Sequence, residues 1–241
     1  MCWARVADNW ADMFQAESAM VGPAKKWLTN QGLLTKHEFQ TPWGVCDLVG
    51  VSLAAERVRQ RLSLRQRDPI GPALRIDILN RIPDVATGKA TTIRSLERTY
   101  QEMLTPGELR QEIARLQEWK FIQVSRRGSF QKINGWAPLH KRIVALELKL
   151  ARVGDGLAQA VSHLGFAEES FVGLPTGLAE RVASSNRSEA FRKSGVGLVS
   201  VGPLDCFVLL PSKPSRAHVN PTVQMHCVER FWRMVSRGSS S

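Results

Sequence analysis

The stretch Ile143-Val144-Ala145-Leu146-Glu147-Leu148-Lys149-Leu150 limits the possible folds more than any other part of the chain. It reads as a buried strand. A period of two puts Val144, Leu146, Leu148 and Leu150 on one face, and Ala145, Glu147 and Lys149 on the other. A carboxylate and an ammonium on an otherwise apolar strand are costly to bury without partners. Two arrangements meet that cost: a salt-bridged pair at a sheet edge, or a polar site built against the sheet.

A chain of 241 residues, 43% of them hydrophobic, holds one large domain or two small ones around real cores. No apolar run is long enough to cross a membrane, and no basic segment followed by an apolar core marks secretion. Cys2, Cys46, Cys206 and Cys227 are scattered without zinc-site spacing and read as reduced thiols of a cytoplasmic protein. The net charge of +11 is unevenly spread. Residues Arg57 to Arg142 hold 18 Lys/Arg against 8 Asp/Glu, or +10, and the remainder 15 against 14, or +1. One block therefore carries the excess, which is an electrostatic footprint for a polyanion, most simply nucleic acid. A basic helix lying on a membrane would also need a face of exposed apolar residues.

Along the chain, the spacing predicts an amphipathic helix over about 9–31, with Trp10, Phe14, Val21, Ala24 and Leu28 on its stripe. Pro23 is expected to kink or restart it. Glu17 occupies a stripe position, either at a partly exposed edge or as an acid aimed into a site. A hairpin follows: Thr35–Thr41, a Pro42-Trp43-Gly44 turn, and Val45–Leu53. Asp47 is the charge in the second strand, as a strand-end acid or as a ligand. Residues 54–67, rich in arginine, read as a linker or solvated helix.

Between Ile70 and Trp136 the pattern gives three short helices seeded by Leu74/Ile78/Ile82, Ile93/Leu96/Tyr100 and Leu109/Ile113/Leu116, then a basic hairpin. Thr105-Pro106-Gly107-Glu108 is a capping-box signature opening the third helix. This order resembles a winged helix-turn-helix domain. The resemblance implies DNA contacts from Arg110, Gln111 and Arg115 on the third helix, and from Arg126, Arg127 and Lys132 on the hairpin. Winged helices also dock proteins, so the ligand is left open at this level. Beyond the opening strand the pattern gives a helix over about 155–164 (apolar Leu157, Val161, Leu164; Gln159 and His163 on another side). A strand over 168–174, a helix over 178–192, strands over 195–201 and 206–210, and a C-terminal helix over 223–235 complete it.

With the basic block set aside, the order is helix with Glu17, hairpin with Asp47, strand with Glu147-Leu148-Lys149, helix with Gln159, strand. It resembles the PD-(D/E)xK, or restriction-endonuclease-like, nuclease superfamily over residues 9–53 and 141–202. The resemblance implies an α/β fold with an αβββαβ core and a mixed central sheet, interrupted by the winged helix. The divisions would be core 1–53, insert 54–140, core 141–211, and a C-terminal loop, helix and tail 212–241. It further implies a Mg2+- or Mn2+-dependent DNA endonuclease acting on duplex or branched DNA. Asp47, Glu147 and the Leu148 carbonyl would hold the metal, Lys149 would serve the attacking water or the phosphate, and Glu17 and Gln159 would assist. Gln159 and His163 are similar to the QxxxY element of RecB-like members, with histidine in place of tyrosine. Cys46 stands where the family's proline would be. Many members pair to cut both strands, which leaves a homodimer open. Two other functions fit the same pattern: a non-catalytic DNA-binding regulator, and an interaction subunit of a DNA-processing complex.

Overall fold

The computed structural model describes residues 14–133, 138–214 and 219–236. Cys2, Trp10, Trp136 and the tail 237–241, which entered the sequence reading, lie outside them. In chain order the elements begin with α1 (Glu17–Asn30), β1 (Leu34–Thr41), β2 (Gly44–Leu53), α2 (Ala55–Ser63) and α3 (Ala73–Arg81). There follow β3 (Thr91–Thr92), α4 (Ile93–Tyr100), α5 (Pro106–Glu118), β4 (Ile122–Val124) and β5 (Ser129–Lys132). The rest is β6 (His140–Leu148), α6 (Val153–His163), β7 (Glu169–Pro175), α7 (Thr176–Ala183), α8 (Ser188–Ser194), β8 (Gly197–Val201), β9 (Cys206–Leu210) and α9 (Pro221–Ser236). They form two units: Met1–Ser52 with His140–Gln224, and Leu53–Leu139 with Met225–Ser241. No helix among the described residues is long and apolar enough to cross a membrane.

The first unit is mixed α/β around a six-stranded sheet of order β1-β2-β6-β7-β8-β9. The β6–β7 and β7–β8 pairs are parallel, and β1–β2 and β8–β9 antiparallel. The alternation along β6 builds its layers. Val144, Leu146 and Leu148 pack with Met20, Ala24 and Leu28 of α1, joined by Leu48, Phe171, Val199 and Val201. A second cluster is formed by Ala160, Val172, Leu174, Ala179, Val182, Phe191 and Leu198. The helix α1 runs on through Pro23, although proline removes one helical donor, and Gly32 at φ +75° receives the chain after it.

Two helices depart from the sequence expectation. The single helix expected over 178–192 is two, because the Ser184, Ser185 and Ser188 hydroxyls bond backbone carbonyls of the preceding turns, a local alternative that competes with helix continuation. In α6 the buried positions are Gly156, Ala160 and His163, and Val161 is exposed. Small residues allow closer approach than the larger apolar ones would. A Cβ on Gly156 would stand 2.9 Å from Lys149 Cγ and 3.2 Å from Val172 Cγ1.

The second unit holds α2–α5, a three-stranded antiparallel sheet of order β3-β5-β4, and α9 from Met225 onward. Its core joins Ile76, Ile78 and Leu79 of α3, Leu96 and Tyr100 of α4, Leu109, Ile113 and Leu116 of α5, and Phe121, Phe130 and Met225. The capping box at α5 forms in both directions: Thr105 Oγ1 accepts from Glu108 N, and Glu108 accepts from Thr105 N.

The arginine-rich stretch is only partly solvated. Arg57, Arg59, Arg65 and Arg67 are exposed, but Arg61 is buried and ion-paired to Glu229 of α9. Arg61 Nη2 also donates to Asp68 O, and the guanidinium lies 4.1 Å from the centroid of the Trp232 ring. Glu229 Oε2 accepts from Ile70 N at 2.8 Å, and Trp232 Nε1 donates to Arg67 O at 2.7 Å. These bonds are why α9 belongs with this unit from Met225, whereas the sequence grouped it with the preceding loop and the tail. Removing one partner of a buried pair strands the other charge. Glu229→Ala should therefore destabilise the second unit by about 3–5 kcal/mol, read as an earlier denaturant transition of the full chain, and Glu229→Gln should cost less.

Candidate active site

The site forms where β6 ends. Successive N–H groups of a strand point to opposite sides. Lys149 N donates to Gly173 O of β7 at 3.0 Å, which keeps the chain on the ladder just past Leu148. The flanking donors are taken by side-chain carboxylates. Leu148 N donates to Asp47 Oδ2 at 2.7 Å and Leu150 N to Glu17 Oε1 at 3.1 Å. Two acids more than a hundred residues upstream in the chain are thus fixed by the backbone on either side of Lys149.

Lys149 completes the cluster. Its Nζ donates to Glu147 Oε1 at 2.7 Å and lies 3.9 Å from Glu17 Oε2. Glu147 is buried, and its other oxygen meets His163 Nε2 at 3.2 Å. Asp47 sits at an irregularity in the hairpin. The β1–β2 ladder pairs His37 with Leu48 and Phe39 with Cys46 but skips Glu38 and Asp47, and Glu38 has φ +49°. A side chain is rare in that left-handed conformation. Cys46, the neighbour of Asp47, is fully buried: its thiol donates to Leu48 O at 3.3 Å. The Cys46 sulfur, a Glu147 oxygen and a His163 nitrogen all lie within 4.8 Å of one another.

The charges respond to this packing. Burial pushes the Asp47 carboxyl up; the Leu148 N–H opposes that, and the Glu147 charge adds to it. Burial also works against the Glu147 charge, but the hydrogen bonds from His163 and Lys149 hold its carboxyl below the usual range. For Lys149, burial favours the neutral amine. The bond to Glu147 and the charges of Glu147, Asp47 and Glu17 outweigh that and leave its pKa raised. The lysine is therefore an ammonium at neutral pH, the shared counter-charge of three carboxylates. Burial first, then Glu147, raises the Cys46 thiol well above its ordinary value, so it is protonated.

Glu17, Asp47, Glu147 and Lys149 are thus brought together. Gln159 is exposed on α6, and the α6 residue that reaches Glu147 is His163. Cys46 and Gly156 carried no functional reading in the sequence. The buried stripe Gly156-Ala160-His163 at 4–3 spacing was visible as small residues on one helix face, but without large apolar groups it did not register as the inner face. In the second unit Arg110, Gln111 and Arg115 project outward from α5. Arg110 pairs with Glu97 and Arg115 with Glu112. Arg126 and Arg127 are exposed on the β4–β5 turn, closed by Gly128 at φ +74°. Lys132 is half-buried, and its pKa is lowered by burial against the opposing charge of Asp84.

No protein-family model, curated protein or solved structure matches the chain.

Because burial and Glu147 both disfavour its charge, Asp47 weakens the metal-free protein at neutral pH. Its raised pKa means that this penalty is absent below the unfolded value, sets in as pH rises through it, and is complete above the raised folded value. Asp47→Asn, whose side-chain oxygen can still accept from Leu148 N, should melt higher than the parent in chelator at pH 7, and the gap should close toward pH 4.

Proposed function

We propose that the chain is a Mg2+- or Mn2+-dependent DNA endonuclease of the PD-(D/E)xK type. Its core would be the αβββαβ set α1, β1, β2, β6, α6 and β7, with a winged helix-turn-helix domain inserted between β2 and β6. The observation that carries this reading is the convergence of Glu17, Asp47, Glu147 and Lys149, from three separate elements and a strand end, at one place. A sheet-edge salt bridge would need only two of them.

The donors fit a hard divalent ion. Asp47 and Glu147 offer carboxylate oxygens, the type Mg2+ prefers. One ammonium serves three carboxylates, and Asp47 remains raised beside it, so a further cation would be electrostatically welcome. Asp47 and Glu147 would hold the ion, with the Leu148 carbonyl as third donor by the family pattern. When bound, the ion supplies an activated water and neutralises charge on the phosphoryl oxygens. Lys149 is protonated, so its first role is to attract and orient the scissile phosphate and its attacking water, not to remove a proton. Glu17 holds the backbone beyond Lys149. His163 fixes the rotation of the Glu147 carboxylate. Glu147→Ala and Lys149→Ala should each lower Mg2+-dependent plasmid nicking at least 100-fold while DNA binding in a gel-shift assay stays within about threefold. Wild-type protein that binds DNA but never nicks it with Mg2+ or Mn2+ would instead support the non-catalytic regulator.

Binding rests on the second unit in this reading. The order α3, β3, α4, α5 and the β4–β5 hairpin supports the winged-helix resemblance. Arg110, Gln111 and Arg115 would face a groove, and Arg126, Arg127 and Lys132 the backbone. The exposed Arg110–Glu97 and Arg115–Glu112 pairs are weak enough to be exchanged for phosphate contacts. Duplex affinity should fall steeply with salt. Replacing Arg126 and Arg127 together by Ala should reduce the slope of log affinity against log salt by about 2, on the basis of roughly 0.9 per phosphate contact.

A further inference from the structure

We propose that Cys46, Glu147 and His163 form a soft-metal site for Zn2+ that shares Glu147 with the Mg2+ centre, so that zinc binding inhibits the nuclease. The inhibitory part rests on the nuclease reading; the site itself does not. Its donors are one sulfur, one nitrogen and one carboxylate oxygen, a set that suits Zn2+ or Co2+ and, through the thiolate, discriminates against Mg2+. All three residues are buried, and their ligand atoms lie within 4.8 Å of one another. A tetrahedral zinc with bonds of about 2.0–2.3 Å needs its ligand atoms roughly 3.3–3.8 Å apart. Binding as a thiolate removes the bond that Cys46 donates to Leu48 O at 3.3 Å, which frees its side chain to turn toward the ion.

The charge balance favours occupancy. One thiolate, one carboxylate and one neutral imidazole around Zn2+ sum to zero, which removes the main cost of placing an ion in a buried site. Binding displaces the thiol proton to solvent. The His163 ring proton moves from Nε2 to Nδ1, an atom that is buried and has no hydrogen-bond partner in the metal-free protein. One proton is therefore released per ion. The ion would take the Glu147 oxygen that His163 now meets, while the other stays on Lys149; two dications on one carboxylate repel each other strongly, so the two centres compete.

Metal-free full-length protein titrated with Co2+ should develop a thiolate-to-cobalt charge-transfer band and the visible bands of a four-coordinate ion, saturating at one equivalent and bleached by Zn2+. Cys46→Ala should abolish the charge-transfer band. A variant carrying Cys2→Ser, Cys206→Ser and Cys227→Ala, with Cys46 its only cysteine, should keep it, and this keeps the test decisive should Cys46→Ala fail to fold. His163→Ala should weaken Co2+ binding at least 10-fold. In plasmid nicking at millimolar Mg2+, one equivalent of Zn2+ should inhibit the parent at least 10-fold more than it inhibits Cys46→Ala, each relative to its own rate without zinc. Absence of the band in the parent, its loss from the Cys46-only variant, or its survival in folded Cys46→Ala overturns the proposal. A band without any nicking leaves the zinc site standing and removes the nuclease; nicking without a band does the reverse.

Discussion

The whole candidate site of the first unit depends on the burial of Glu147. A carboxylate inside a sheet's packing is tolerated only with strong donors on its oxygens. Here Lys149 takes one oxygen and His163 the other. Each donor has its own requirement. Lys149 must double back toward a residue two positions earlier, and Gly156 leaves the space its stem occupies. His163 must lie on the inner face of α6, so the helix is turned to bury small residues and a histidine while Val161 goes to solvent. The neighbouring acids are placed by the strand end itself: when a sheet partner is missing for Leu148 N and Leu150 N, a carboxylate is a stronger acceptor than water. One buried charge thus fixes the orientation of a helix and the contents of a cluster.

Much of the layer architecture was legible because it follows from period two. The apolar parity of Val144, Leu146 and Leu148 predicted the face that meets α1, and Glu147 with Lys149 the opposite side. The association of Glu17 and Asp47 with that strand was readable only as an order of elements, since nothing local to either residue shows that its partner is a backbone N–H in β6. Illegible features share a physical cause: they depend on partners distant in sequence. Arg61 looks like any other arginine of a solvated stretch, and only Glu229, more than 160 residues away, makes its burial affordable. Cys46 gave no metal signal because its neighbours in space, Glu147 and His163, lie on other elements. On α6 the expected stripe holds for Leu164 and Leu157, which join the second cluster, but Val161 turns to solvent, and Gly156 packs where a Cβ would meet Lys149 and Val172.

The second unit follows the opposite logic. Its core is apolar and mostly local, from Ile70 through Phe130 with Met225 of α9 added, and its helix start at Thr105 is set by chemistry within four residues. Two of its arginines, Arg61 and Arg75, are buried in ion pairs with Glu229 and Glu112, but exposed ones such as Arg126 and Arg127 are not part of that packing. Exposed pairs such as Arg110–Glu97 contribute little to stability, so the exposed positive excess is not explained by the fold. The net charge of the chain is concentrated in residues 57–142, while the acids of the candidate site lie in the other unit.

The cluster around Glu147 is poorly explained as a stabilising device. A buried ion pair is often no better than apolar residues of the same volume, and here a third and a fourth charge are added, one of which, Asp47, is disfavoured where it sits. Asn at that position would accept the same Leu148 N–H without the charge. Stability alone would therefore select against the aspartate, against the excess of carboxylates over cations, and against a hairpin that places Glu38 in the left-handed region beside it. Strained backbone and destabilised charge occurring together mark a candidate functional site rather than a stabilising device. The histidine and cysteine on the far side of Glu147 extend the argument. On the proposed readings they would open the same carboxylate to a second, softer class of ion, so the residue that most constrains the fold would also be where two metals contend.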